Sequence, residues 1–509
     1  MGSVATLPCG NTLNFERSFL REPSNPAVAA LPALSAMPAA DRREQVIKLY
    51  AKQPEIYARA VRGWFAGWRW ALVWATQLVF YGLPWLQWNA RQAVLFDLEA
   101  RRFYLGALVL YPQDFIYLTA LLIVSAYALF LFTAVAGRLW CGFACPQTVY
   151  TEIFMWVERH IEGDRMQRMK LDAGPWRWNK WARKSAKHAV WAAIGLWTGF
   201  TFVGYFTPIQ TLGASVLSLG LGPWETFWVL FYGLATYGNA GWLREQVCKY
   251  MCPYARFQSV MFDKDTLIIS YDQQRGEPRG TRGRKTDLAA AKLGDCIDCK
   301  LCVQVCPTGI DIRNGLQYEC IGCTACVDVC NGVMDKMQYP RGLIRYDTQT
   351  GMQRHLSRSE VLKRVLRPRV LAYGAVLLLI SSLLLISLWL RAPFRVDVVR
   401  DRGALARIVD DGAIANVYRL QIMNATELVQ RYRIGVQGIP AAVTDLAADV
   451  VVGPAQERWV PVAVTVPPGA AAQAGAGSHG IEFVIERLPD AAHEAPYRVQ
   501  EHSTFIVPR

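Results

Sequence analysis

Thirteen cysteines set the chemistry of this 509-residue chain, and their spacing says more than their number. Eight form two runs. Cys296, Cys299, Cys302 and Cys306 stand as C-x2-C-x2-C-x3-C before Pro307, and Cys320, Cys323, Cys326 and Cys330 repeat the spacing with Asn331 in place of the proline. Three thiolates so close together converge on one iron–sulfur cube, and the fourth of each run reaches the other cube. One cluster then takes Cys296, Cys299, Cys302 and Cys330; the other takes Cys306, Cys320, Cys323 and Cys326. Two zinc sites or a disulfide cluster are the alternatives. Eight cysteines in doubled spacing, with no histidine among them, favour two 4Fe-4S clusters. No cysteine follows Cys330. The pattern reads as metal or redox chemistry in a reducing compartment, not as a disulfide scaffold.

A second doubling is C-x3-C-P, at Cys141, Cys145 and Pro146 and again at Cys248, Cys252 and Pro253. Each copy closes a pair of apolar segments, and such repeats often place a shared site between the halves. Cysteines four apart share a helical face. The proline suits the first position of a new helix, expected over Gln147–Glu162 and Tyr254–Phe262. Cys145 and Cys252 would then sit at helix N-termini, where the dipole should lower the thiol pKa. Soft thiolates suit Cu(I), zinc or an iron–sulfur cluster. The bland alternative is that the four merely pack, and the matched spacing and proline argue against it. Cys9 reads as a free thiol without a role, and His160 and His188 as interfacial residues rather than ligands.

These groups need elements to hold them. With 52% hydrophobic and 19% charged residues the chain is too apolar for an ordinary soluble multidomain protein. Trp70–Trp88, Phe115–Gly137, Ala189–Thr207, Thr226–Leu243 and Leu371–Leu390 are each near the length needed to cross about 30 Å of hydrocarbon. Lys and Arg crowd the stretches before the first span, between the second and third (Arg138 among them), and between the fourth and fifth. Positive-inside logic makes those stretches cytoplasmic and puts the C-terminus outside. The same distribution accounts for the net charge of +14, so a nucleic-acid partner is not expected. The first 60 residues lack the basic and apolar regions of a signal peptide. Their Ala- and Pro-rich part reads as a disordered tail.

After Arg391 the texture changes. Val396–Val399, Val417–Met423, Tyr432–Val436, Val450–Val452, Trp459–Val466, Ile481–Ile485 and Ser503–Val507 are short and β-branched, with turn residues between them. About seven strands over such a length point to an Ig-like sandwich. The expected fold is a multidomain membrane protein: a five-helix α transmembrane domain, an inserted α+β bacterial-type double-cluster ferredoxin and a C-terminal all-β Ig-like sandwich. Its parts are a cytoplasmic tail (1–60), helices 1–4 with both C-x3-C-P motifs (61–270), a linker (271–285), the ferredoxin (286–345), a basic cytoplasmic linker (346–370), the fifth helix (371–390) and the outer sandwich (391–509).

This combination resembles the CcoG family, also called FixG or RdxA, of cytochrome c oxidase accessory proteins. The match is carried by Arg91–Asp97, Trp140–Tyr150, Arg275–Gly280 and the doubled ferredoxin run. The resemblance implies a bacterial inner-membrane oxidoreductase, a cupric reductase turning Cu(II) into Cu(I) for maturation of cbb-type oxidase. It also implies copper chaperones and oxidase assembly factors as partners, beside a cytoplasmic electron donor. Copper would be substrate or transient ligand, and Cys141, Cys145, Cys248 and Cys252 match the family's C-x3-C-P positions. Two further readings stand beside it: a quinol-dehydrogenase subunit, and a non-enzymatic redox-sensing assembly scaffold.

Overall fold

The computed structural model describes residues 55–89, 91–284, 292–401, 403, 406–446, 448–488 and 496–508. Cys9, most of the expected tail and the junction of the linker with the ferredoxin lie outside them. Among the described residues two helical stretches, Pro112–Ala136 and Pro368–Trp389, are long and apolar enough to cross a membrane, and their most apolar parts are 0% and 6% buried. So much apolar surface without protein cover belongs in lipid. The other three expected spans are helical at Trp64–Gly82, Trp178–Val203 and Pro223–Tyr237. They are more polar or shorter: Arg69 lies in the first, Lys180, Arg183, Lys184 and Lys187 in the second, and the third has 15 residues. The second and third meet at glycines. A methyl on Gly195 would come 2.7 Å from the carbonyl oxygen of Gly233, so only small residues permit this approach.

The ferredoxin insert closes at its neck through antiparallel strands Ile268–Tyr271 and Ile344–Asp347, with Ile268 opposite Asp347. Between them, Cys302 lies on the short helix Leu301–Gln304, and Cys326 and Cys330 lie on Ala325–Met337. The insert is bolted to the helix ends. The Asp328 carboxylate accepts the backbone N–H of Phe65 (3.3 Å) and Ala66 (2.8 Å), capping Trp64–Gly82 from another part of the chain. The Tyr346 hydroxyl donates to the Ala136 carbonyl at 2.7 Å.

At the other end stands the sandwich. One sheet runs Val443–Thr444, Glu457–Val466, Ile414–Asn424, Phe394–Arg400, with Arg407–Ile408 pairing the start of Ile414–Asn424. The second runs Val450–Val452, Gln430–Gln437, Gly477–Leu488, Tyr497–Val507. All seven expected strands are present, most of them longer than their β-branched cores, and the sheets enclose Tyr418, Leu420, Val462, Phe483 and Phe505. The loop after the first helix adds a small sheet that the sequence reading lacked, Val94–Asp97, Arg102–Leu105 and Leu108–Leu110. Its Leu95, Tyr104 and Val109 pack on Met423 and Ala455 of the sandwich. The charges of this loop serve the same contact: Arg91 pairs with Glu427, and buried Asp114 pairs with Arg391 and Arg395.

Candidate redox centre

The ferredoxin cysteines gather around two cavities. Cys296, Cys299, Cys302 and Cys330 line one, with Leu301, Val333, Leu343 and Ile344. Cys306, Cys320, Cys323 and Cys326 line the other, with Ile269, Ile310 and Ile312, and Cys302 borders both. Among the described residues no three His, Cys, Asp or Glu side chains converge as a lone ion requires. Four thiols spread around an apolar-walled volume instead suit a multi-atom cluster. Burial pushes the thiols of Cys302 up to about 11 and those of Cys320 and Cys330 up to about 12, and neighbouring thiols add to the rise. Burial of this kind favours the neutral thiols, and an iron–sulfur core held by them would supply the positive charge that keeps them as thiolates.

The two C-x3-C-P copies meet each other and the second cavity. Cys145 and Cys252 cap helices Pro146–Glu162 and Pro253–Met261 in the same extended conformation, φ −61°, ψ 129° and φ −79°, ψ 109°. Each N–H reaches back five residues, Cys145 to Trp140 (3.0 Å) and Cys252 to Val247 (2.8 Å). Contacts between the copies stitch them together. The Cys141 thiol faces Oε1 of Gln258 at 3.4 Å, Nε2 of Gln147 donates to the Asn239 carbonyl at 2.8 Å, and Nη2 of Arg138 donates to the Ala255 carbonyl. Cys141 and Cys248 both pack on Val305, Ile321, Cys323 and Ala325. A methyl on Gly142 would come 2.7 Å from the carbonyl of Gly322 and 2.8 Å from the N–H of Cys323. The first motif thus lies backbone to backbone against the loop that carries Cys320 and Cys323.

Two expectations change here. The cysteines of a copy do not share one helical face, because the proline drives the residue before it out of the α region. Cys141 lies on the turn Leu139–Phe143 and Cys248 on the π-helical turn Val247–Met251, while their partners cap the next helix. Nor does the helix N-terminus lower the Cys145 thiol. Burial raises it, and the N–H groups of Gln147 and Thr148 only partly offset this. Burial also lifts Cys141 to about 11 and Cys248 to about 12. Sequence reasoning gave Arg69, just before the first expected span, and Arg138 no role beyond marking the cytoplasmic side. Both are buried, and Nη1 of Arg69 donates to the Cys323 carbonyl at 3.3 Å. A basic residue that sets topology and one that serves a site look alike in sequence.

Fold and site define a membrane protein that carries a double-cluster ferredoxin and an Ig-like domain. Residues 118–162 match the family of 4Fe-4S binding domains, 243–349 the 4Fe-4S dicluster domain, and 384–508 the Ig-like fold at the C-terminus of FixG. The nitrogen fixation protein FixG of Rhizobium meliloti (strain 1021) is 37% identical over 469 residues, 84% of this chain and 90% of that one. Protein RdxB of Cereibacter sphaeroides is 38% identical over 424 residues, 80% of this chain and 88% of its own. The crystal structure of a FixG-related protein from Vibrio parahaemolyticus covers 23% of this chain and 97% of its own, with 24% identity and a TM-score of 0.19. The chain belongs to the FixG/RdxA family, as an iron–sulfur electron-transfer protein of the oxidoreductase type.

Proposed function

We propose that this protein reduces Cu(II) to Cu(I) at the C-x3-C-P quartet for maturation of a cbb-type oxidase, in exchange with copper chaperones and oxidase assembly factors. In this reading Cys296, Cys299, Cys302 and Cys330 hold one 4Fe-4S cluster and Cys306, Cys320, Cys323 and Cys326 the other. When bound, the clusters supply one-electron carriers. The observation that carries the reading is the contact of Gly142 with Gly322 and Cys323, which leaves no room for a separating layer between motif and ferredoxin. The chain's own part is to present soft thiolates there, since these stabilise Cu(I) over Cu(II) and so favour its reduction.

The topology proposed with it has five spans, the ferredoxin in the cytoplasm and the sandwich outside, in a bacterial inner membrane. Supporting it, the sandwich pairs with Asp114 at the start of Phe115–Ala136, whereas the ferredoxin bonds to Ala136 at its end. The deciding experiment is anaerobic Cu(II) titration of the dithionite-reduced protein in detergent. Wild type should yield Cu(I) and C145S/C252S should not; equal yields reject the reading.

A quinol-oxidising reading also has an observation behind it. A cavity of about 540 Å³ beside the first helix is lined by Trp70, Trp156, Arg62, Arg159 and His160. Apolar rings next to basic groups suit a quinol head, and quinol oxidation in the absence of copper would favour that reading.

A further inference from the structure

Four arginines are buried among the described residues: Arg69, Arg138, Arg168 and Arg313. Three have carboxylate partners. Arg69 faces Glu152 (3.6 Å), Arg168 faces Glu158 (2.6 Å), and Arg313 faces Asp298 (2.5 Å) and Asp311 (2.7 Å). Arg138, 4% exposed, has no carboxylate partner among the described residues, and its Nη2 donates to the Ala255 carbonyl. A guanidinium taken out of water without an anion is costly, and proteins seldom keep one unpaired. The residue ties the two motif copies together, its carbonyl accepting the N–H of Gly142 at 3.1 Å and its guanidinium reaching the Ala255 carbonyl three residues after Cys252, and its charge acts on the thiols of Cys141, Cys248 and Cys320 and on the Tyr254 hydroxyl. Its own carbonyl lies 3.0 Å from where a methyl on Gly322 would be.

We propose that Arg138 is the counter-ion of an anionic Cu(I) bis-thiolate formed by Cys141 and Cys248. This rests on the copper reading above and names the species held there. One Cu(I) and two thiols give a complex of charge −1 and release two protons. The guanidinium then leaves the site neutral overall, which is how a charged complex can persist beneath apolar Ile321 and Val305. The electron that turns Cu(II) into Cu(I) comes from a reduced iron–sulfur cluster of the ferredoxin. Arg138 touches no electron carrier in this scheme. It is a positioning residue, and its contribution is charge.

The test is competition for Cu(I) between the full-length protein and a coloured Cu(I) chelator, with iron content and cluster potentials measured alongside. Loss of the counter-charge beside a buried anionic complex predicts that R138Q weakens Cu(I) binding by about ten- to a hundredfold. R138K, which keeps the charge, should stay within about threefold of wild type. R138Q should also move one cluster potential to a more negative value, because reduction adds negative charge nearby. Wild-type affinity in R138Q, or equal losses in R138Q and R138K, overturns the proposal. If R138Q loses its iron, R138K decides alone: near-wild-type affinity with iron retained supports the counter-ion role, and a loss of about tenfold or more overturns it. C141S separates the two levels. Unaltered Cu(I) binding there overturns the Cys141–Cys248 species and, if it persists with all four C-x3-C-P cysteines replaced by serine, the copper reading itself, whereas lost binding in C141S beside intact binding in R138Q defeats only the role of Arg138.

Discussion

Gly142 and Gly322 touch through their backbones, so that a side-chain carbon on Gly142 would lie 2.7 Å from the carbonyl carbon and oxygen of Gly322. Both sit inside cysteine motifs, one between Cys141 and Cys145, the other between Cys320 and Cys323. Since neither backbone can yield as a flexible side chain would, G142A must push the two motifs apart. Overpacking of this kind costs about 1–3 kcal/mol. The expected result is copper reduction slowed at least several-fold, with the iron content of the ferredoxin unchanged. Wild-type rates in G142A would show that the contact is not the route of exchange.

The ferredoxin and the membrane-side cysteines should be separable by composition. Anaerobically isolated protein is expected to hold about eight irons, from two four-iron clusters. C145S/C252S should keep them all while losing copper reduction. A stoichiometry near four, or zinc in place of iron, would reject the crossed assignment of Cys306 and Cys330.

What could be read in advance was what is local. Spacing alone named the eight ferredoxin cysteines and the paired C-x3-C-P copies. The helix-starting proline located the helices at Pro146 and Pro253 to within a residue at each end. The strands of the sandwich announced themselves through runs such as Val450–Val452. What could not be read depends on approach in space. The Asp328 cap on Phe65 and Ala66 joins residues 263 and 262 positions apart. The thiol of Cys145 is governed by burial, which outweighs a dipole that fades within one turn. Arg91, Arg102 and Asp114 carry no strand signal, yet they fasten the first loop to the sandwich.

The Asp328 cap itself is open to test. D328N removes the charge that accepts two N–H groups at the start of Trp64–Gly82. Loss of a capping group costs about 1 kcal/mol. Here the cap also joins two parts of the molecule, so D328N should lower the midpoint of thermal iron release by a few degrees and expose the neck of the insert to protease. No change in either would mean the ferredoxin is held by its other contacts alone.

Acid should loosen the helices beneath the quartet. Burial raises the Glu158 carboxyl, but Arg244 and Arg168, with Lys187 adding, overcome that and hold it below the usual range. The ion pairs are 2.6 Å to Arg168, 3.2 Å to Arg244 and 3.5 Å to Lys187. A carboxyl whose folded pKa is depressed contributes stability that is full above its unfolded value and lost as pH falls through the folded one. The window therefore opens at about pH 4.3 and extends downward. E158Q should remove this acid sensitivity and, by stranding Arg168, cost about 3–5 kcal/mol at neutral pH. An acid melting curve identical in E158Q and wild type would count against the network.

Helix Phe115–Ala136 has 22 residues, which at 1.5 Å each span about 33 Å, just over the hydrocarbon thickness of about 30 Å. Asp114, at its start, is 2% exposed and locked to Arg391 and Arg395 of the sandwich side. Ala136, at its end, accepts from Tyr346 of the ferredoxin neck. If this helix crosses the membrane, the two domains must lie in different compartments. A reporter active only outside the cytoplasm should therefore work when fused after Arg509 and fail when inserted after Arg284. The converse reporter should do the opposite at both sites. Activity of one reporter at both positions would mean that the helix lies along the membrane rather than through it, and the five-span arrangement would fall with it.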